Sequence, residues 1–126
     1  MLARSLLRRG CSLRGRRCAS RKALDAEARA ATVALLGQRG WTDDLPARDS
    51  VTKRFEFATF NDAFGWMARV AMFAEASDHH PEWANTYATV DVTLATHSAR
   101  GVTGKDAALA DFMDYAHAGR RGAGPR

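Results

Sequence analysis

Between Thr59 and Ser77 the chain offers a helix with almost no polar face, and this segment constrains the fold more than any other. Thr59-Phe60-Asn61-Asp62 has the form of a capping box, in which a side-chain oxygen ahead of the first turn takes up an N–H that the helix leaves unpaired. Phe60, Phe64, Met67, Ala71 and Ala74 fall on one stripe at helical spacing, and Trp66, Val70 and Phe73 on a second. Only Asn61, Asp62, Arg69 and Glu75 interrupt the apolar surface. A helix that is apolar on nearly all sides must be covered on more than one of them. In so small a domain the second cover is expected to come from another subunit. Pro81 cannot continue the helix, so the chain turns at His79-His80-Pro81.

The flanking segments supply a sheet. Leu24, Ala28, Ala31 and Leu35 repeat at helical spacing, and Gly37 and Gly40 end that helix. Trp41 opens a short strand, Asp43-Asp44-Leu45-Pro46 turns, and Val51 to Phe57 reads as a strand. Its Val51, Phe55 and Phe57 face one side, against Thr52, Arg54 and Glu56 on the other. Trp83 to Tyr87 can form a third strand, and Thr89 to Thr96 a fourth in which Val90, Val92 and Leu94 alternate with polar residues. Ser98 to Gly104 is a loop. Thr103-Gly104-Lys105-Asp106 is a second capping-box candidate, before a helix with Leu109, Phe112, Met113 and Ala116 on one face. The order α-β-β-α-β-β-α predicts a single α+β domain: a four-stranded, mainly antiparallel sheet with three helices on one face.

Charge separates this domain from its ends. Of 19 Lys and Arg, eight lie in residues 1–24 with no acid among them. The remainder holds eleven basic residues against fourteen acidic ones, a net charge of about −3. The overall excess of +5 therefore describes a leader and not a nucleic-acid surface. Residues 1–21 are Arg-rich, contain Ser and interleave Leu with Arg, the pattern of an organellar transit peptide. Mitochondrial localisation is expected, with plastid or cytoplasm as alternatives. Both cysteines, Cys11 and Cys18, belong to the leader, so the domain over 22–118 has neither a disulfide nor a thiolate to use. No apolar run approaches the roughly 18–20 residues of a membrane span. Residues 119–126, with three Gly, a Pro and no apolar anchor, are expected to be a disordered tail.

Chemistry concentrates where the central helix ends. His79 and His80 are adjacent, Pro81 closes the turn, and His97 falls at the end of the fourth strand. Imidazole titrates near ~6.5 in reference peptides, so it can give and take protons at neutral pH. Glu75 and Asp78 lie one helical turn apart just before the pair and could orient an imidazole or hold it charged. His117, on the last helix, reads as a solvated side chain. His79, His80 and His97 could also form a three-histidine zinc site, but adjacent histidines seldom converge on one ion and no HExxH spacing exists. No metal is expected.

Glu75-x-x-Asp78-His79-His80-Pro81-Glu82-Trp83 resembles the signature of the pterin-4a-carbinolamine dehydratases. The resemblance extends over roughly residues 22–117, through Gly40-Trp41, Phe60-Asn61-x-x-Phe64-Gly65-x-Met67-x-Arg69-Val70-Ala71, Asn85-x-Tyr87, Val92-Thr93-Leu94-x-Thr96-His97 and Thr103-x-x-Asp106. It implies dehydration of a 4a-hydroxytetrahydropterin to quinonoid dihydropterin, without metal or organic cofactor. It assigns His79, His80 and His97 to acid and base roles, with Glu75, Asp78 and Asp106 holding and tuning them. Trp83, Thr96 and Pro81 would contact the flat pterin ring, with a place in the core as the alternative for Trp83, and the chain would assemble as a homodimer or homotetramer. Lys105 stands where relatives often carry Arg, which keeps a charge but loses bidentate contact. The loop Ser98-Ala99-Arg100-Gly101 differs from animal relatives and is expected to reshape the rim of the site. The competing expectation is a non-catalytic protein-binding or assembly module of the same fold.

Overall fold

The structure, a computed structural model, describes residues 21–119. The leader over residues 1–20 and the chain beyond residue 119 lie outside the described residues, and the transit-peptide and tail expectations lie with them. Asp25 caps α1 (Ala26–Gly37) by accepting the Ala28 N–H at 2.8 Å. Leu36, not Leu35, is the core residue of α1: it is 1% exposed against 61% for Leu35. A stripe counted from Leu24, which lies ahead of the helix, runs out of phase with the turns that follow. Gly40 then takes a left-handed φ of 88°, which a side chain would resist, and delivers Trp41 to the core.

The sheet has the order β1-β2-β4-β3, with β1 (Thr42–Asp43), β2 (Val51–Glu56), β3 (Glu82–Thr86) and β4 (Thr89–Leu94) antiparallel throughout. Register runs from Val51 opposite Leu94 to Glu56 opposite Thr89. This alignment puts Val51, Phe55, Val90, Val92 and Leu94 on the buried face. Lys53 is in phase with them. Its ammonium is satisfied there by Asp114 of α3 (Gly104–Ala118) at 2.7 Å and lies 4.8 Å from the centre of the Phe55 ring. Trp41 donates its indole N–H to the same Asp114. His117 is half-buried rather than solvated. It bonds the Glu56 carbonyl and sets its ring edge-on to Phe55 and Phe57, because the C-terminal turn of α3 packs over β2.

Thr59 caps α2 (Phe60–Ser77), accepting the Asp62 N–H. Of the two stripes on this helix, Trp66, Val70 and Phe73 enter the core with Ala63 and Ala74. Trp66 donates to the Met113 carbonyl and Phe73 stacks on Phe112 at 4.3 Å, which fastens α2 to α3. The other stripe divides: Ala74 is buried and Met67 packs against the core, while Phe60 and Phe64 are exposed, as is Met72 outside both stripes. Asp78, in left-handed backbone at φ 49°, stops the helix. β4 ends at Leu94, two residues short of the expected limit. Thr96 makes only an isolated bridge to Gly101, and His97–Ala99 form one turn of 3-10 helix. The end of α2, the end of β4 and the start of α3 thereby meet on one side of the sheet.

Candidate active site

Asp106 lies at the centre of that junction. As the third residue of α3 it completes a capping box, accepting the Thr103 N–H at 2.8 Å while Thr103 caps the helix. The same oxygen accepts the Thr96 hydroxyl at 2.8 Å, and the other oxygen lies 2.7 Å from His79 Nε2. Every neighbour is therefore a donor to a fully buried carboxylate. An ionised carboxylate only accepts, so His79 must carry its proton on Nε2. Nδ1 is then the free ring nitrogen. No buried side-chain nitrogen lacks a partner among the described residues, so Nδ1 opens on solvent in the cleft.

The cleft holds about 300 Å³. His79, His80 and His97 all line it, with Asp78, Thr96 and Lys105. Each imidazole has its own carboxylate: His80 Nε2 is 2.8 Å from Glu75, and His97 Nε2 is 3.2 Å from Glu82. His80 and His97 are exposed, whereas His79 is buried. A buried imidazole beside two exposed ones gives proton carriers of different accessibility around one space. Among the described residues no three His, Cys, Asp or Glu groups are arranged to hold a metal ion. A larger hollow of about 550 Å³ opens at the other end of the sheet beside Lys53, Asp114 and His117, where the charged groups already engage one another.

The residues expected from sequence divide by position. Asp78 lines the cleft, Glu75 stands behind His80, and Asp106 lies beneath His79. Thr96 also lines the cleft, but its hydroxyl is committed to Asp106 and Thr103, so it positions the carboxylate. Trp83 and Pro81 are not among the lining residues. Trp83 sits on the core side of β3, opposite Val92 and 6.3 Å from Trp66, ring centre to ring centre.

Glu82 and Arg21 carry no role in the sequence reading, and Lys105 only a retained positive charge. Glu82 accepts a fork of two bonds from Arg48 at 2.6 and 2.7 Å, and this guanidinium, aided by His97, holds its carboxyl below the usual range. Arg21, assigned from sequence to the leader, forms an ion pair with Asp78 at the mouth of the cleft. Lys105 donates to the Ser77 and Asp78 carbonyls, closing the unpaired end of α2. Burial, with the charge of Arg21 nearby, holds its ammonium below the ordinary lysine range. The signal for Glu82 was its place inside the histidine motif. Arg21 gave none and Lys105 only its charge, because their partners are set by where α2 ends in space.

Residues 22–116 match the family described as pterin 4 alpha carbinolamine dehydratase. The chain belongs to that family. A relative from Jannaschia sp. strain CCS1, provisionally named pterin-4-alpha-carbinolamine dehydratase, is 53% identical over 91 residues, covering 72% of this chain and 92% of the relative. One from Bradyrhizobium sp. strain BTAi1, with the same provisional name, is 55% identical over 91 residues, covering 72% and 89%. A crystal structure from Brucella melitensis, described as a transcriptional coactivator/pterin dehydratase, superposes with a TM-score of 0.69 at 42% identity, over 75% of this chain and 97% of the other. As a pterin carbinolamine dehydratase, the chain falls in a family of hydro-lyases, and its α-β-β-α-β-β-α order is the one expected from sequence.

Proposed function

We propose that this protein removes water from a 4a-hydroxytetrahydropterin to give the quinonoid dihydropterin, as the dehydration step of tetrahydrobiopterin recycling. The observation that carries the reading is the single cleft with three imidazoles, each backed by its own carboxylate. The carbon–oxygen bond at C4a breaks, and the oxygen leaves as water after taking a proton from an acid. The proton on the neighbouring ring nitrogen passes to a base, and its bonding pair forms the new carbon–nitrogen double bond. One proton is given, one is taken, and nothing is oxidised, so groups that titrate near neutrality suffice. His79, fixed by Asp106, offers Nδ1 to the cleft, while the exposed His80 and His97 can follow the leaving group.

The test is a coupled aromatic-amino-acid hydroxylase assay with the full chain. The 4a-carbinolamine should decay faster than its spontaneous rate, and should continue to do so after exhaustive chelation. Decay at the spontaneous rate overturns the reading; loss of activity on chelation would move the chemistry to a metal.

Assembly as a homodimer or homotetramer belongs to the same proposal, supported by the exposed apolar residues on α2. Those residues also favour a second reading, a module that holds another protein. A stoichiometric partner that stays bound to a His79→Ala/His80→Ala variant would support it. Mitochondrial import of the leader is proposed from its Arg-rich, acid-free composition and from the family match beginning just after it, at Lys22. The relatives named above are bacterial and offer no parallel for it. A fusion of residues 1–30 to a fluorescent reporter should enter the mitochondrion; cytosolic fluorescence would reject this.

A further inference from the structure

A second hollow, of about 260 Å³, adjoins the histidine cleft and shares Ala95, Thr96 and His97 with it, so that segment runs along a groove between them. Its other walls include Arg48, Asp49 and Arg100. Most charges along the groove are matched. Arg48 is forked onto Glu82, Asp49 accepts from Arg29 and from the Val102 N–H, and Arg21 pairs with Asp78. Two cations are left over. Lys105 donates only to carbonyl oxygens, and the Arg100 guanidinium meets no carboxylate among the described residues.

Arg100 also occupies an expensive position. It caps the 3-10 turn in left-handed backbone at φ 55°, where glycine is the low-cost residue and other side chains are disfavoured. The next residue, Gly101, has no such freedom to change: a Cβ there would collide with the Asp49 carboxylate. That close approach pins the loop against Asp49 and leaves Arg100 on the rim of the groove. Arg100 is exposed, and it stands in the wall of a hollow that adjoins the site.

We infer that the pterin taken by this groove carries an anionic group, phosphate or carboxylate, on its side chain, and that Arg100 holds it. The inference rests on the dehydratase reading. The ring lies among the histidines, and the side chain passes His97 toward Arg100. Arg100 is thus a specificity residue, remote from the reacting atoms.

The experiment compares three carbinolamines, with a neutral polyol side chain, the same side chain phosphorylated, and a side chain ending in a glutamate carboxylate. Each is tested with the wild type and with Arg100→Gly, a variant that relieves the left-handed strain and so folds. The wild type should favour an anionic substrate by roughly five- to tenfold in kcat/KM, expressed in KM and weakened by salt. Arg100→Gly should abolish the preference and leave the neutral substrate unchanged. The phosphate and carboxylate arms show which anion is meant. Turnover of all three at equal kcat/KM overturns the inference while the dehydratase reading stands. With no turnover of any, that reading fails, and fluorescence quenching of the three oxidised pterins decides: a preference lost in Arg100→Gly supports the inference, and equal binding overturns it.

Discussion

Asp106 accepts from His79, Thr96 and Thr103 while fully buried, so its geometry is fixed from both sides. Replacing it with Asn keeps the shape and gives one side of the group N–H donors. The Thr96 hydroxyl and Thr103 N–H already claim an acceptor, so the new amide turns its NH₂ toward His79. His79 must then accept at Nε2 and carry its proton on Nδ1, the nitrogen that faces the cleft. Asp106→Asn is therefore expected to lower kcat by roughly 10²–10⁴-fold, the range of general acid–base help. The His79 ring should switch tautomer in ¹⁵N spectra; a slow enzyme with an unchanged tautomer would mean that Asp106 merely supports the fold. His79→Ala and His80→Ala should each lose activity within the same range while far-UV circular dichroism is kept, and full activity in the double variant would remove the mechanism. Glu82, the partner of His97, has no role in the sequence reading, whereas the three histidines and Glu75, Asp78 and Asp106 were legible there. Their pairing was not, because His79 and Asp106 are 27 positions apart and meet only through the packing of α2 on α3. Thr96 was legible as a neighbour of the site, but nothing in its spacing says that its hydroxyl is spent on Asp106.

Elements were read by period, and the errors fall where period gives no information. The α1 stripe slipped by one residue because Asp25, the cap, sets the phase and Leu24 precedes it. Lys53 falls in phase with Val51 and Phe55, where a pattern of apolar and polar residues has no place for a cation; Asp114, 61 positions away, makes it tolerable. The same kind of tertiary pairing holds α1 to the sheet. Arg29 donates twice to Asp43, at 2.7 and 2.9 Å, and once to Asp49. Asp43 is held below the ordinary aspartate range, chiefly by the bonds from Arg29. A depressed carboxyl stabilises the fold fully above its unfolded value, about 3.9, and the gain fades as pH falls through the folded one. Arg29→Gln should cost about 1–2 kcal/mol near neutrality, since these charged bonds are only partly shielded from water. Urea titrations should show the gap from wild type narrowing in acid, below about pH 4. A gap that stayed constant into strong acid would assign the loss to packing of the Arg29 stem.

At the scale of the molecule, the apolar circumference of α2 is the feature that one chain does not resolve. The helix places five residues in the core and leaves Phe60 and Phe64, 5.8 Å apart between ring centres, exposed, with Met72 exposed further along the helix. A surface patch of this composition on a helix is a common site of association. A two-fold assembly would use each ring twice, once from each subunit. With roughly 1–2 kcal/mol still to be gained per half-exposed ring, removing one type of ring from both sides weakens association on the order of 10²-fold. Phe64→Glu tests this cleanly, because an exposed position far from the core changes folding by only about 0.5 kcal/mol. Sedimentation velocity should find the full chain as a dimer or tetramer, and the variant shifted to monomer at the same concentration with its thermal midpoint kept. If the wild type is monomeric at every concentration, the open face serves some other purpose; if the variant assembles as before, the contact is made elsewhere, with the free edge of β3 as the next surface to examine. Dehydratase activity measured on the Phe64→Glu monomer separates the two scales. One chain by itself brings the three histidines and their carboxylates together, so turnover should survive dissociation.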